Sequence, residues 1–450
     1  MRQASPVPSQ AGMRPEARRP APARRTLVAL LVLTGAAFAI GWTQKLPCRT
    51  EGYGPGNHLA YTRMCYSDVH VAWTSERLDE GKLPYRDHPV EYPVLLGAMM
   101  ALAAVGAHSA AQFFDHTSVL LLVAALTVSA TTAKLVGPER ARAAAMVAVA
   151  PGMILHGTVN WDLAAAALAG AALLAWARRR PGLAGVALGL GGALKLYPLL
   201  FLLPLLVLCL RRRQVRAWGR AFVGAAATWI ACNGLVFAVA GSFSWAENQP
   251  ARNAVLRFFL LSRDRPADWD SVWFVLQEVM KRVTDDPAWA FSVPAVNLLS
   301  AMALIVAMAA LAMLLWRSPS VPQVGQAVFL AVAVFLLTSK VFSPQFTIWL
   351  IPLAVMARVR WLPFLGWQVV EVGFTMARFL YFDGLVGSGG GLPAGVFVSA
   401  VVARDLALLA LMYTVVRDIR QRPGDRAGSK DDAADPAAGV LASTAAPVPA

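Results

Sequence analysis

Long apolar stretches separated by short polar breaks fill most of the chain, and the breaks are often runs of arginine, as at Arg178-Arg179-Arg180 and Arg211-Arg212-Arg213. A helix needs roughly 20 apolar residues to cross hydrocarbon, and fewer where it is buried among other helices. Read this way, the pattern predicts an all-α, polytopic transmembrane bundle of about 12 spanning helices. They fall at 26–43, 114–134, 142–157, 161–176, 182–195, 197–210, 219–240, 293–316, 325–339, 346–357, 361–382 and 393–416. The helix over 182–195 ends at Lys195-Leu196-Tyr197-Pro198, where proline stops one helix and opens the next.

One apolar segment does not fit as a span. If 92–107 crossed fully, Lys134, Arg140 and Arg142 would end on the outer face, against the rule that cytoplasmic loops carry the positive charge. The segment is therefore read as a re-entrant or interfacial helix. The resulting organisation is a disordered cytoplasmic tail over 1–25, a membrane domain over 26–416, and a second disordered cytoplasmic tail over 417–450. Outer loops span 44–116 and 241–292. Within the second loop, 255–283 reads as amphipathic and helical.

Composition agrees with a lipid environment: 57% of residues are hydrophobic and 15% charged, with a mean hydropathy of +0.53. The net charge of +15 could point to nucleic acid, but no basic face interleaved with aromatics is present. The arginines before the first helix put the N-terminus inside, and in the resulting topology, with both termini inside, the cytoplasmic segments hold 25 Lys or Arg against 7 Asp or Glu, which is consistent with it. Heavy use of Ala, Arg and Gly suggests a bacterial plasma membrane. Cys209 and Cys232 fall in apolar helices and read as small hydrophobes. Cys48 and Cys65 share the first outer loop, where an oxidised pair can form, although spacing alone does not establish it.

Polar residues collect on that same outer side. Candidates are Asp68 and His70 in the first loop, Asn160 and Asp162 at one turn, and Lys195 and Tyr197 at another. Arg263, Arg265, Lys340 and Gln345 follow later in the chain. A carboxylate can take a proton from a hydroxyl nucleophile, and Arg or Lys can hold a phosphate. The combination suits transfer of a group away from a membrane-tethered phosphate. Each residue also has a plainer reading. Asp68 could be a solvated loop acid, Asn160 and Asp162 helix caps, and Lys195 a snorkelling lysine. Arg263 and Arg265 could belong to a solvated amphipathic helix, and Lys340 and Gln345 could anchor a proline turn.

In order, the strings Tyr66-Ser67-Asp68-Val69-His70, Tyr92-Pro93-Val94-Leu95-Leu96-Gly97, Asn160-Trp161-Asp162, Lys195-Leu196-Tyr197-Pro198 and Lys340-Val341-Phe342-Ser343-Pro344-Gln345-Phe346 resemble the GT-C class of polyprenyl-phosphate-sugar-dependent glycosyltransferases. The chain looks most like the glycosyltransferase family 87 type, and it is similar to the mannosyltransferase of the glycosylphosphatidylinositol core. The resemblance implies a many-helix fold with an essential acid in the first outer loop. It also implies a hexose, mannose above all, moved with inversion from a polyprenyl-phosphate donor to a lipid or glycan acceptor. Asp68 matches the first acid of the family's loop motif and would act as base. His70 stands where a second acid is expected, which weakens a metal bridge between two carboxylates.

No organic cofactor is implied, and a divalent metal is left open. The expected partners are the sugar donor, the acceptor and membrane lipids, with no nucleic acid. A lipid-linked-sugar flippase or a transporter is the alternative. It predicts broken helices and polar groups at mid-membrane, whereas this chain has few charges deep in its helices.

Overall fold

A computed structural model describes residues 24–52, 58–240, 257–387, 390–421 and 435–441. In chain order the helices are α1 (Arg24–Gln44), α2 (Cys48–Glu51), α3 (His58–Thr62), α4 (Asp68–Ser75), α5 (Val94–Ala104), α6 (Ala110–Val136), α7 (Ala145–Val149), α8 (Pro151–His156), α9 (Asp162–Ala177) and α10 (Pro181–Leu194). They continue with α11 (Leu202–Arg211), α12 (Val215–Ala240), α13 (Arg257–Asp264), α14 (Val272–Val283), α15 (Val293–Arg317), α16 (Val324–Thr338), α17 (Thr347–Met356), α18 (Trp361–Leu385) and α19 (Ala394–Arg420). Among the described residues there is no strand, only an isolated bridge between Pro84 and His88. The protein is a polytopic helical membrane protein, as its apolar pattern predicts.

Helix length sorts with position. Five helices are long and apolar enough to cross a membrane: α1, α6, α15, α19 and the Val215–Val239 stretch of α12. On α12 and α15 most of the apolar surface faces outward, as lipid contact requires. Three of the shorter apolar helices lie inside. Every residue of α17 is buried, as are the first ten of α16 and most of α9. A helix that is apolar all round belongs in a core, and surrounding protein relieves it of the need to span hydrocarbon alone.

Glycine sets a close approach between α10 and α12. A Cβ on Gly185 would lie 2.1 Å from the carbonyl oxygen of Ala221, and one on Gly189 would lie 2.5 Å from that of Ala225. Small residues four apart let two helix backbones meet in this way.

The predicted boundaries shift in three places for local reasons. The span read over 142–157 is a 3₁₀ turn at Pro138–Ala144 followed by α7 and α8. The break falls at Ala150, which is extended (φ −62°, ψ 121°) ahead of Pro151, because proline disfavours the helical region in the residue before it. The amphipathic stretch 255–283 divides into α13 and α14 around Pro266, and its first two residues lie outside the described residues. The apolar segment 92–107 becomes α5, whose 11 residues span about 16 Å, half of a hydrocarbon core. It packs against α6, α10 and α12.

The N-terminal tail expected over 1–25 lies outside the described residues except for Arg24 and Arg25, which open α1. Of the tail expected from 417, α19 carries the chain to Arg420. Residues 435–441 dock on the bundle, where Val324 N donates to Asp435 Oδ2 at 2.9 Å. Apart from Gln421, the rest lies outside the described residues.

Candidate active site

Asp68 is the first residue of α4, and two segments lock it in place. Ser67 is extended before it and donates from Oγ to the carbonyl of Thr158 at 2.8 Å. The turn at 157–161 is thereby seated against the start of α4, and that turn presents Asn160. The Asn160 Nδ2 donates to Asp68 Oδ2 at 2.8 Å, while its Oδ1 accepts from Trp161 N at 2.7 Å. Because its oxygen is already engaged by a donor, the amide must turn its nitrogen to the carboxylate. The other oxygen of Asp68 accepts from the Tyr66 hydroxyl at 2.7 Å.

The end of α1 clamps the segment just before this acid. Gln44 donates to the carbonyls of Arg63 and Met64 at 3.0 and 2.6 Å, and Lys45 Nζ donates to Met64 O at 3.1 Å. Cys48 and Cys65 form a disulfide with Cα atoms 5.8 Å apart. Lys45 is buried, and burial lowers its ammonium to about 7, against the opposing pull of the Asp68 carboxylate.

Asp68 opens onto a cavity of about 790 Å³. Of the residues singled out from sequence, Asp68, Asn160, Lys195, Tyr197, Arg265, Lys340 and Gln345 line it together. They come from segments up to 277 positions apart (345 − 68). His70, Asp162 and Arg263 are not on its wall. Residues 68, 71 and 75 of α4 face the cavity, whereas His70 is about 200° around the helix from Asp68. Burial, and then nearby Arg49, lowers the His70 imidazole to about 4. The second position of the loop motif therefore points away from the acid.

Asp162 is fully buried behind the wall. Trp349 Nε1 donates to its Oδ1 at 2.8 Å, and Lys195 Nζ pairs with the same oxygen at 3.1 Å. This pair holds the Lys195 ammonium at the cavity surface, 5.6 Å from the Phe346 ring centre. The Tyr197 ring stacks on Trp349 at 4.2 Å, and Trp349 stacks on Phe346 at 4.1 Å. Gln345 lies in the proline turn beside them.

Lys340 reaches across to the loop after α13. Its ammonium donates to the carbonyls of Arg263 at 3.2 Å and Arg265 at 2.6 Å, and to Asn297 Oδ1 at 2.5 Å. Burial and then Arg265 lower its pKa. The loop so held sends Arg265 to the cavity, paired with Glu91. Arg263 points outward to Asp264 at 2.9 Å, both largely exposed.

Sequence reasoning missed one wall. Tyr61, Asp268, Trp269, Arg378, Phe379 and Phe382 also line the cavity. Arg378 donates from Nε to both oxygens of Asp270, at 3.1 and 2.8 Å. The available signal was a charge inside an apolar helix, which is costly enough to mark a functional position. Among the described residues, no group of three or more His, Cys, Asp or Glu side chains is arranged to hold a metal ion.

The model of glycosyltransferase family 87 matches residues 92–344, more than half of the chain. The chain belongs to glycosyltransferase family 87. It is thus a membrane glycosyltransferase, using a sugar donor and an acceptor. No curated protein matches the chain. The family segment supplies Asn160, Lys195, Tyr197, Arg265 and Lys340 to the cavity, whereas Asp68 and its donor Tyr66 precede that segment and Arg378 follows it.

Proposed function

We propose that this family 87 enzyme moves a hexose, mannose in the first instance, from a polyprenyl-phosphate sugar to a hydroxyl on a lipid or glycan acceptor, with inversion. The reaction takes place on the outer face of a bacterial plasma membrane, with both termini cytoplasmic. The observation that carries the reading is the setting of Asp68. Its two oxygens are oriented by Tyr66 and Asn160 in a cavity that also holds Lys195, Arg265 and Lys340.

In this mechanism the acceptor oxygen attacks the anomeric carbon as its proton passes to Asp68. The bond from that carbon to the phosphate oxygen breaks on the opposite face, and the lipid phosphate leaves with the electron pair. Asp68 keeps lone pairs for the proton, since each carboxylate oxygen offers more than the one site its donor occupies. Fixed cations at the departing phosphate lower the barrier without reorganising during the step. Lys340 offers its charge at longer range, because its three N–H groups are already taken by neutral acceptors. Lys195 and Arg265 each face a carboxylate as well.

The test measures sugar transfer from radiolabelled polyprenyl-phosphate mannose in membranes carrying the wild type or Asp68→Asn. Loss of the base should lower the rate by about 10²- to 10⁴-fold. An undiminished rate in a folded Asp68→Asn enzyme would remove Asp68 from the mechanism. Scrambling of the lipid-linked sugar without any transfer would replace the reading with a flippase.

A further inference from the structure

The wall that sequence reasoning missed differs in chemistry from the rest of the cavity. Its surface is aromatic and begins at the acid itself. The Tyr66 ring, whose hydroxyl binds Asp68, stacks with Tyr61 at 6.2 Å and 10° between planes. Tyr61 meets Phe382 edge-on at 6.0 Å, and Phe382 meets Trp269 edge-on at 5.9 Å. Trp269 is 39% exposed, unlike Tyr61 at 6%, so it offers open ring surface to the cavity. Its backbone N–H donates to Asp268 Oδ1 at 3.1 Å, which fixes the carboxylate beside the ring.

The charges on this wall disfavour an anion. The single guanidinium, Arg378, is bound by both oxygens of Asp270 and covers the Phe382 ring at 4.3 Å. Asp268 is a second carboxylate next to it. Burial, and then repulsion from Asp270, raises the Asp268 carboxyl to about 6. A phosphate placed here would meet the Asp268 carboxylate and a guanidinium already paired with the buried Asp270. A sugar ring would meet a flat apolar face with acceptors and a guanidinium at its edge, the arrangement that suits C–H and O–H groups alternating around a ring.

We propose that the wall formed by Tyr61, Asp268, Trp269, Arg378 and Phe382 is the acceptor subsite, and that it takes an uncharged, hydroxyl-rich sugar ring rather than a phosphate-bearing headgroup. This rests on the glycosyl-transfer reading above and adds to it the chemistry of the acceptor. The donor phosphate then belongs with the cations Lys195, Arg265 and Lys340, which line the same cavity and lie inside the family segment. Tyr61 and the α18 residues lie outside that segment, whereas Asp268 and Trp269 lie inside it, so the subsite joins the family segment to parts of the chain on either side of it.

The test is binding of octyl α-mannoside, against octyl phosphate, to the purified full chain in lipid nanodiscs. Octyl α-mannoside should bind the wild type. Trp269→Ala should weaken it about tenfold or more, Asp268→Asn should weaken it less, and Trp269→Phe should restore most of the affinity. In transfer assays the same Trp269→Ala change should raise KM for the acceptor while KM for the donor moves by less than about twofold. Unaltered octyl α-mannoside binding in Trp269→Ala, no binding to the wild type, or octyl phosphate competing for the same wall would each overturn the proposal. The binding arm needs no turnover. Loss of mannoside affinity in Trp269→Ala without any transfer from a polyprenyl-phosphate sugar would therefore uphold the subsite and defeat the reaction reading.

Discussion

The amide of Asn160 reaches 2.8 Å across to one oxygen of Asp68, joining an acid in the first loop to a turn 92 positions later. Its donor orients the carboxylate without adding charge, and Tyr66 does the same for the other oxygen.

Removing that donor should misplace the base without abolishing it. A hydrogen bond to a charged group contributes about 1.5–3 kcal/mol, so Asn160→Ala should lower kcat by about 10- to 100-fold, less than Asp68→Asn. Initial rates at saturating donor and acceptor measure this. If Asn160→Ala matched Asp68→Asn in loss, Asn160 would be touching substrate rather than orienting the acid.

Lys45 ties stability to pH. Burial lowers its ammonium from 10.5 to about 7, so between those values the unfolded chain binds more protons than the folded one. Stability should therefore rise with pH across that window, with no contribution from Lys45 to the slope below it. Thermal unfolding of the detergent-solubilised protein should shift upward by a few degrees from pH 7 to 9.5. Lys45→Met should remove that rise, and a persisting slope in the variant would assign it to another group.

The α10–α12 contact should tolerate little added bulk. A side chain at Gly185 would enter the space of the Ala221 carbonyl, a backbone group that cannot rotate away. Gly185→Val should cost several kcal/mol through overpacking and the forced separation of two helices, about the upper end for a core change. Gly219→Val on α12, where nothing lies within 4 Å of the added Cβ, is the control. Monodisperse yield in detergent should collapse for the first variant and persist for the second.

The short α5 carries the topology. If it dips into the membrane and returns, the turn before Ala110 shares a side with Asp68. A single cysteine at position 108, in a background free of other reactive thiols, should then react with an impermeant maleimide added outside intact cells. Labelling only after the membrane is opened would place a full crossing at 92–107 and invert every later helix.

Apolar runs were enough to find most helices, because burial in lipid or in a helix core demands the same unbroken hydrophobicity either way. The helices of the bundle were legible for this reason, apart from the break before Pro151 and the division around Pro266. The site was legible in part. Asp68, Asn160, Lys195 and Lys340 stand out as polar residues next to apolar helices, but nothing local says which of them meet. His70 shows the limit: two positions from Asp68 in sequence, it lies off the cavity because α4 starts at Asp68 and turns about 100° per residue. Arg378 shows the converse, an arginine deep in α18 whose use depends on Asp270 from the far side of a loop.

The solvent, the helical class and the kinds of groups available for chemistry follow from composition and period alone. Tertiary structure alone decided the pairing of Asn160 with Asp68, the diversion of Asp162 to hold Lys195, and the aromatic wall around Trp269. Those depend on which helix ends converge, and convergence is set by packing between segments 33 to several hundred residues apart.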